Sequence, residues 1–259
     1  MRMALGVEYD GTNYVGWQMQ DNGPSVQAVV ESALARVADH PLRTICAGRT
    51  DTGVHALAQV VHFDTQAERS ERAWVFGANT HLPKDVAVIW AKPVDGEFHA
   101  RFSARRRRYR YVIFNRPVRP TFLAYRVAWE YRPLEVDRMA AAAQFLLGEH
   151  DFSAYRAAGC QSRTPMRRVE QIAVTRTDDI VIIDIVANAF LHHMVRNIAG
   201  VLMAIGAGEQ SVDWTRQVLE ARDRSQGGIT APPHGLYLVD VDYSPEYELP
   251  RVLHTRMIW

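Results

Sequence analysis

Apolar and polar residues recur along the chain with two periods, one typical of strands and the other of helices. Residues 4–9 alternate as a strand does, and a turn at Asp10-Gly11 follows. From about residue 25 to residue 37 the apolar residues share one helical face, and His40-Pro41 closes this helix. The pattern also predicts strands at 42–46, 58–63, 86–91, 109–114 and 236–241, helices near 136–147, 192–205 and 214–221, and a hairpin over 169–186 that turns at Asp178-Asp179.

The order of these elements favours an α+β fold. Helices alternate with strands that cannot all be adjacent and parallel, so two mixed-sheet units with helices packed on them are expected rather than one doubly wound sheet. We place the boundary near Arg105, which gives an N-terminal unit of residues 1–105 and a C-terminal unit of residues 106–259. A catalytic cleft is expected between the two units.

Composition limits the class of protein. Apolar residues make up 47% of the chain and charged residues 23%, so the chain is expected to fold. Cys46 and Cys160 lie far apart and outside any Cys-x-x-Cys arrangement, which indicates a reducing compartment and no disulfide framework. No secretory leader and no run of about 18 apolar residues is present, so we expect a cytoplasmic protein without a membrane span.

Charge is distributed unevenly although the net charge is only +1. Residues 101–119 hold eight arginines and no acid, and residues 156–168 hold four more arginines and no acid. Arginine suits bidentate contacts with phosphate and stacking on bases. The first stretch is therefore either a track for RNA phosphates or a solvated charged edge, and its candidate RNA-binding residues are Arg101, Arg105, Arg106, Arg107, Arg108 and Arg110.

One loop carries the candidate chemistry. The sequence Gly-Arg-Thr-Asp-Thr-Gly-Val-His, residues 48–55, lies between two predicted strands and places a glycine on each side of Asp51. Glycines there permit positive φ and a close approach of the backbone to a ligand. Arg49, two residues away, could pair with the carboxylate or with a phosphate. An ordinary Asx-type turn at a strand end is the alternative.

Other chemistries fit this loop less well. Asp51-Thr52-Gly53 is the tripeptide of aspartic proteases, but those enzymes need two such carboxylates and only one occurs. Asp51 and His55, with His62 or with His192 and His193, could bind a metal, yet the spacings that make metal sites specific are absent. A serine hydrolase would need a Gly-x-Ser-x-Gly elbow, which the chain lacks.

At this loop the chain resembles the TruA-type tRNA pseudouridine synthases, in which the aspartate is essential. Thr52 departs from the alanine more usual there. Further blocks resemble the family in the same order over nearly the full length: Glu8-Tyr9-Asp10-Gly11-Thr12 with Gly16-Trp17-Gln18, residues 98–104, Arg108-Tyr109-Arg110-Tyr111, Phe152-Ser153, residues 160–165, residues 190–197 and Gly235-Leu236-Tyr237-Leu238.

The resemblance implies a role for each site residue. Asp51 would attack the sugar or the base, or remove a sugar proton, without cofactor or metal. Arg49 would help extrude the target nucleotide, and Tyr109 would stack on the flipped uracil, unless it is a core aromatic. Arg196 would pair with the aspartate, unless it faces solvent, and Leu236 would floor the base pocket.

The resemblance also implies a homodimer that modifies uridines 38, 39 and 40 of the tRNA anticodon arm. Two rival functions stay open. One is a non-catalytic protein that only stabilises tRNA, and the other is a metal-dependent nuclease.

Overall fold

The computed structural model describes residues 1–251, and this part of the chain contains ten strands and five α-helices in a mixed arrangement. The α+β class predicted from the sequence is confirmed. The strands are β1 (Arg2–Tyr9), β2 (Ile45–Cys46), β3 (His55–Asp64), β4 (Val86–Val94), β5 (Arg106–Asn115), β6 (Ala128–Glu130), β7 (Gly148–Asp151), β8 (Met166–Thr177), β9 (Ile180–Ala187) and β10 (Leu236–Asp242). The helices are α1 (Val26–Ala38), α2 (Glu71–His81), α3 (Val136–Ala143), α4 (Met194–Gly206) and α5 (Trp214–Ala221).

The chain divides into two compact units. The first contains residues 1–105 together with the described chain from Tyr237 onward, and the second contains residues 106–236. The sequence placed the last strand in the second unit, and the structure differs here because Tyr237 and Leu238 pair in parallel with His55 and Ala56 of β3. Residues 252–259 of the predicted C-terminal unit lie outside the described residues.

The first unit is a sheet in the strand order β4-β1-β3-β10, with β2 paired to β3. β1 is antiparallel to both neighbours, and its residues Met3, Leu5 and Val7 are buried. Helix α1 begins where the Ser25 side chain accepts a hydrogen bond from the amide of Ala28, which satisfies one of the unpaired donors at a helix start.

The second unit is built on the strand order β5-β9-β8-β7, with β6 parallel to β5. The hairpin of β8 and β9 turns at Asp178-Asp179 as predicted, and Asp178 adopts a φ of 50°, which aspartate tolerates in tight turns. Helix α4 is buried along most of its length, including Ile198, Leu202 and Ile205. An apolar helix of this kind belongs in the interior of its unit.

No helix among residues 1–251 combines the length and the apolar character needed to cross a lipid bilayer.

Candidate active site

The Asp51 loop connects β2 to β3. Hydrogen bonds hold its backbone, and the Asp51 side chain is partly exposed. Asp51 is half-buried, the preceding Thr50 is buried, and Arg49 is exposed. The amide of Val54 donates to the Asp51 carbonyl at 3.1 Å, and Gly53 adopts a φ of 75°. The positive φ predicted beside Asp51 therefore occurs at Gly53, where a side chain would be strained.

The segment after β1 is hydrogen-bonded to this loop and braces it. The amide of Trp17 donates to the Thr50 carbonyl at 3.0 Å, and the amide of Gly53 donates to the Tyr14 carbonyl at 3.3 Å. The hydroxyls of Tyr9 and Thr50 are hydrogen-bonded at 2.7 Å in the interior. Backbone groups on both sides of Asp51 are thus fixed by residues far away in sequence.

Glycines make this close packing possible. A Cβ on Gly16 would lie 2.6 Å from the Thr50 carbonyl oxygen, and Gly16 has a φ of +107°. A Cβ on Gly11 would lie 2.0 Å from the Val54 carbonyl oxygen. Any larger residue at these two positions must push the Asp51 loop away.

The start of the loop is tied to β3 by Gln59, which is fully buried. Its Nε2 donates to the Gly48 carbonyl at 2.6 Å, and its Oε1 accepts from the Gly48 amide at 3.4 Å. A buried amide needs such partners because leaving it unpaired would cost free energy.

His55 fixes the end of the loop. Its Nδ1 lies 3.0 Å from the Gly11 amide and 3.2 Å from Asp10 Oδ1, and the tautomer of the ring decides which hydrogen bond forms. Its ring stacks on Tyr237 of β10 at 4.7 Å. In the tautomer whose Nδ1 carries the proton, hydrogen bonds from His55 and from Thr12 lower the pKa of Asp10 and favour its charged form.

The block at residues 98–104 forms a second cluster in the first unit. Phe98 is buried against Tyr243, and the His99 ring stacks on Phe102 at 4.3 Å. The exposed guanidinium of Arg101 lies 5.5 Å from the centre of the Phe102 ring, which is itself 74% exposed. An exposed aromatic ring beside a guanidinium suits contact with RNA bases and phosphates.

In the second unit, Tyr109 lies on β5 with only 8% of its surface exposed. Its ring meets the edge of Phe190 at 4.9 Å. Tyr109 therefore lies mostly in the interior, as a core aromatic would. The exposed 8% is accessible.

Arg196 lies on the first half of α4 and is half-buried. Its Nε donates to the carbonyl of Ala231 at 2.8 Å. Leu236, five residues further along the chain, is 6% exposed at the start of β10. The structure therefore links Arg196 to the segment that leads directly into Leu236, a proximity that sequence spacing does not show.

Three arginines of β5 have carboxylate partners within their own unit. Arg108 makes a bidentate ion pair with Asp184 at 2.6 and 2.9 Å, and Arg110 donates to the same carboxylate at 2.7 Å. Arg106 pairs with Glu170 at 2.7 Å. These carboxylates belong to β8 and β9, so the acid-free stretch in sequence is not acid-free in space.

The other candidate RNA-binding arginines differ among themselves. Arg107 is buried and donates to the carbonyl of Asn188 at 2.9 Å, whereas Arg101 and Arg105 are exposed. Two guanidiniums share the single charge of Asp184, so this part of β5 keeps a local positive excess. A positive excess attracts phosphate.

Sequence reasoning did not predict that the Asp51 loop is braced by Tyr9, Asp10, Gly11, Gly16, His55 and Gln59. Most of them belong to blocks already noticed as similar to a known family. The glycine-rich turn after the first strand was the available indication, because conformationally permissive residues there suggest close packing against another loop.

The fold and these features define a class: an α+β enzyme that presents one carboxylate on a braced loop, with arginine-rich surfaces suited to a nucleic acid. Comparison with known proteins specifies the class further. The family model described as tRNA pseudouridine synthase matches residues 6–103 and 142–244. The chain belongs to this family, and the protein is an isomerase that acts on tRNA.

Individual relatives agree along nearly the whole chain. The tRNA pseudouridine synthase A of Coxiella burnetii (strain Dugway 5J108-111) is 58% identical over 251 residues, which cover 97% of this chain and 96% of the relative. The protein of the same name from Nitrosococcus oceani is 57% identical and covers 100% of both chains. That of Pseudomonas aeruginosa is 56% identical over 96% of this chain and 88% of its own. The resemblance found in the sequence is thereby confirmed.

Proposed function

We propose that this enzyme isomerises uridines 38, 39 and 40 of the tRNA anticodon arm to pseudouridine, with Asp51 as its only catalytic carboxylate. The observation that carries the proposal is the Asp51 loop, whose backbone is hydrogen-bonded on both sides of a half-buried acid. Rigid presentation of a reactive group is what positioning catalysis requires. The family matched by the chain supports the same reaction class.

The reaction rearranges one nucleotide without adding or losing heavy atoms. The bond between ribose C1′ and uracil N1 breaks, the uracil turns while still bound, and C1′ joins uracil C5. The proton at C5 leaves, and N1 gains a proton. Asp51 acts at the sugar or the base as a nucleophile, or at the sugar as a general base. A single carboxylate suffices because no water has to be activated, unlike in glycoside hydrolases.

The remaining site residues act on the extruded nucleotide in this proposal. Tyr109 stacks on the uracil, an interaction worth roughly 1–3 kcal/mol per base. Leu236 floors the base pocket, and Arg196 supplies the positive charge that the reacting carboxylate needs. Arg49, which is exposed on the Asp51 loop, occupies the place of the flipped nucleotide. No metal or cofactor takes part.

RNA binding is proposed to use Arg101, Arg105, Arg106, Arg107, Arg108 and Arg110. Exposed Arg101 and Arg105 are the strongest candidates for direct phosphate contacts. Arg106, Arg108 and Arg110 can exchange or share their carboxylate partners when phosphate arrives. Buried Arg107 contributes to the local potential rather than to a direct contact.

Treating the product tRNA with a carbodiimide before reverse transcription tests the proposed positions, because pseudouridine retains an adduct that stops the polymerase. We expect stops at uridines 38, 39 and 40 after reaction with the enzyme and none without it. Stops elsewhere in the tRNA would contradict the proposed specificity. Strand scission that a chelator abolishes would favour the nuclease, and unchanged tRNA would favour the non-catalytic binder.

We also propose that the enzyme is a homodimer that works in the cytoplasm. Several large apolar side chains are exposed in or beside the segment between β5 and β6, among them Val118, Phe122, Tyr125, Trp129 and Tyr131. Phe122 is 94% exposed, and exposed apolar patches of this kind often mark protein interfaces. Sedimentation equilibrium should give twice the chain mass. A monomer mass at micromolar concentration would contradict the dimer.

A further inference from the structure

Three consecutive residues of the second unit, Thr230, Ala231 and Pro232, form a strap that is held by side chains from α4, β5 and a neighbouring turn. The strap runs into the short 3-10 turn Pro233–Gly235 and then into Leu236. Each of its three residues is hydrogen-bonded by a different side chain, and one of these is Arg196.

Thr230 is held by a small polar network. Its Oγ1 donates to Asn197 Oδ1 at 2.7 Å and accepts from Arg224 Nη2 at 2.9 Å. Arg224 Nη2 also lies 3.2 Å from Asn197 Oδ1. Asn197 is 2% exposed, and its Nδ2 donates to the Tyr155 carbonyl at 2.7 Å. The asparagine therefore uses both ends of its amide and has little freedom to rotate.

Ala231 is bound to Arg196 twice. Its carbonyl accepts from Arg196 Nε at 2.8 Å, and its amide donates to the Arg196 carbonyl at 3.2 Å. A guanidinium is planar, so fixing Nε and its acceptor also fixes the directions in which both Nη groups point. The position of the strap thus sets the orientation of the Arg196 head group.

Two further contacts fix the strap against its surroundings. The Pro232 carbonyl accepts from the hydroxyl of Tyr111, a fully buried residue of β5, at 2.8 Å. At the entry to the strap, the carbonyl oxygen of Ile229 would lie only 1.9 Å from a Cβ on Gly200, so the chain packs directly on the backbone of α4. The strap is therefore anchored at both ends.

We propose that the strap is a positioning device, in which Thr230 and Asn197 orient the Arg196 guanidinium for the isomerisation. This inference rests on the proposed role of Arg196. Asn197 follows Arg196 directly on α4, and the strap residue that it binds, Thr230, directly precedes the one that binds Arg196. The two neighbouring pairs, Asn197–Thr230 and Arg196–Ala231, thereby act together, and we call them the clamp. Hydrogen-bond networks of this kind specify a single geometry when every member has its partner.

Thr230→Val tests the clamp, because valine keeps the shape of threonine and removes the hydroxyl. We expect kcat for tritium release from tRNA labelled at uracil C5 to fall about tenfold, since small displacements at a reacting centre cost large factors in rate. KM should stay within about twofold, because the groups that bind the tRNA are unchanged. Thr230→Ser, which retains the hydroxyl, should restore most of the rate. Ser225→Ala, an equivalent hydroxyl deletion at an exposed position of the preceding turn, should match the wild type.

A double-mutant cycle shows whether Thr230 acts through Arg196. Arg196→Lys should lower kcat by itself, and adding Thr230→Val should then cost almost nothing further, because the group that the strap orients is already gone. Tyr111→Phe, which releases the strap at Pro232, should also lower kcat. In the Arg196→Lys background it should lower kcat no further. Circular dichroism of each variant confirms that it is folded.

The clamp would be overturned by Thr230→Val with a wild-type kcat, by a loss that appears in KM alone, or by losses that add fully in the double mutant. Unchanged kinetics of Arg196→Lys would also overturn the clamp, because they would show that Arg196 has no role in the reaction. Label release by the wild type in the same experiment establishes the proposed reaction independently, so failure of the clamp and failure of the function are distinguishable.

Discussion

In the Asp51 loop, the residues next to Asp51 hold the loop in place, and Asp51 itself carries the proposed chemistry. The neighbours Thr50 and Gly53 are bound through their backbones to distant residues, whereas the Asp51 side chain extends from a half-buried position. These backbone hydrogen bonds do not involve the Asp51 carboxylate and should remain when it is replaced. Replacing the carboxylate alone should therefore lower the reaction rate more than the free energy of unfolding. For a half-buried acid with an exclusively structural role, the free energy of unfolding would fall instead.

His62 should make the stability of the protein depend on pH. Burial, with smaller contributions from the nearby charges of His99 and Arg2, lowers the pKa of His62 to about 4. The unfolded chain binds this proton near the ordinary pKa of about 6.5, but the folded protein does not until the pH approaches the lowered value. The free energy of unfolding should fall by roughly 2 kcal/mol from this residue alone between pH 7 and pH 4.5.

His62→Asn should remove that part of the pH dependence. The asparagine Oδ1 can still accept the hydrogen bond that the Ala100 amide donates to His62 Nδ1 at 3.1 Å. Urea unfolding at pH 7 and at pH 4.5 compares the two proteins. An equal loss of stability in wild type and variant would show that His62 is not responsible.

At the scale of the elements, the turn after β1 controls the position of the Asp51 loop. Gly16→Ala would force a side chain into a φ of +107° and within 2.6 Å of the Thr50 carbonyl oxygen. We expect a loss of roughly 1–3 kcal/mol in the free energy of unfolding, from backbone strain. We also expect a loss of more than tenfold in kcat, because the loop must shift.

Gly96→Ala is the matched control for Gly16→Ala. A Cβ on Gly96 would meet nothing within 4 Å, and its φ lies outside the left-handed region. Thermal unfolding and tritium release should both match the wild type for this variant. If Gly16→Ala behaved like Gly96→Ala, the brace would have no part in placing Asp51.

The sequence predicted those elements whose patterns are local. Helix α5 has the predicted bounds, and the β8–β9 hairpin turns at the predicted residues. Helix α2 was not predicted, because only Trp74 and Ala78 of its eleven residues are buried and its polar pattern resembles a loop. Strands β6 and β7, with three and four residues, are too short to show a period.

Long-range pairing could not be predicted in the same way. No local pattern shows that β10 joins β3, since that pairing connects residues about 180 positions apart. The partners of Arg108 and Arg110 are hidden for the same reason, because Asp184 follows more than 70 residues later. Motif similarity selected Asp51 and Arg196, but only the structure shows the brace and the strap that hold them.

At the scale of the whole molecule, a net charge of +1 conceals strong local differences. Arg216 on α5 is engaged by Asp213 at 2.7 Å and by Glu220 at 3.1 Å, whereas Arg105 is exposed next to the arginine-rich start of β5. An arginine that contacts phosphate releases counterions when tRNA binds. Arg216 has two carboxylate partners to itself and lies outside the proposed RNA-binding set. The two arginines should therefore differ in their effect on binding.

Arg105→Ala should weaken tRNA binding and lower the slope of log K against log salt by about one unit. Arg216→Ala should leave both the affinity and the slope unchanged. Filter binding at several salt concentrations measures these quantities. Equal slopes for wild type and Arg105→Ala would remove Arg105 from the proposed phosphate track.

Whether Asp51 carries the chemistry is tested by replacing it with alanine and measuring tritium release and tRNA affinity on the same preparation. We predict that label release stops, while the dissociation constant stays within about tenfold, or 1.4 kcal/mol, of the wild-type value. Release by the Asp51→Ala variant at the wild-type rate would show that Asp51 is not the catalytic residue. A parallel loss of release and affinity would instead make Asp51 a structural residue.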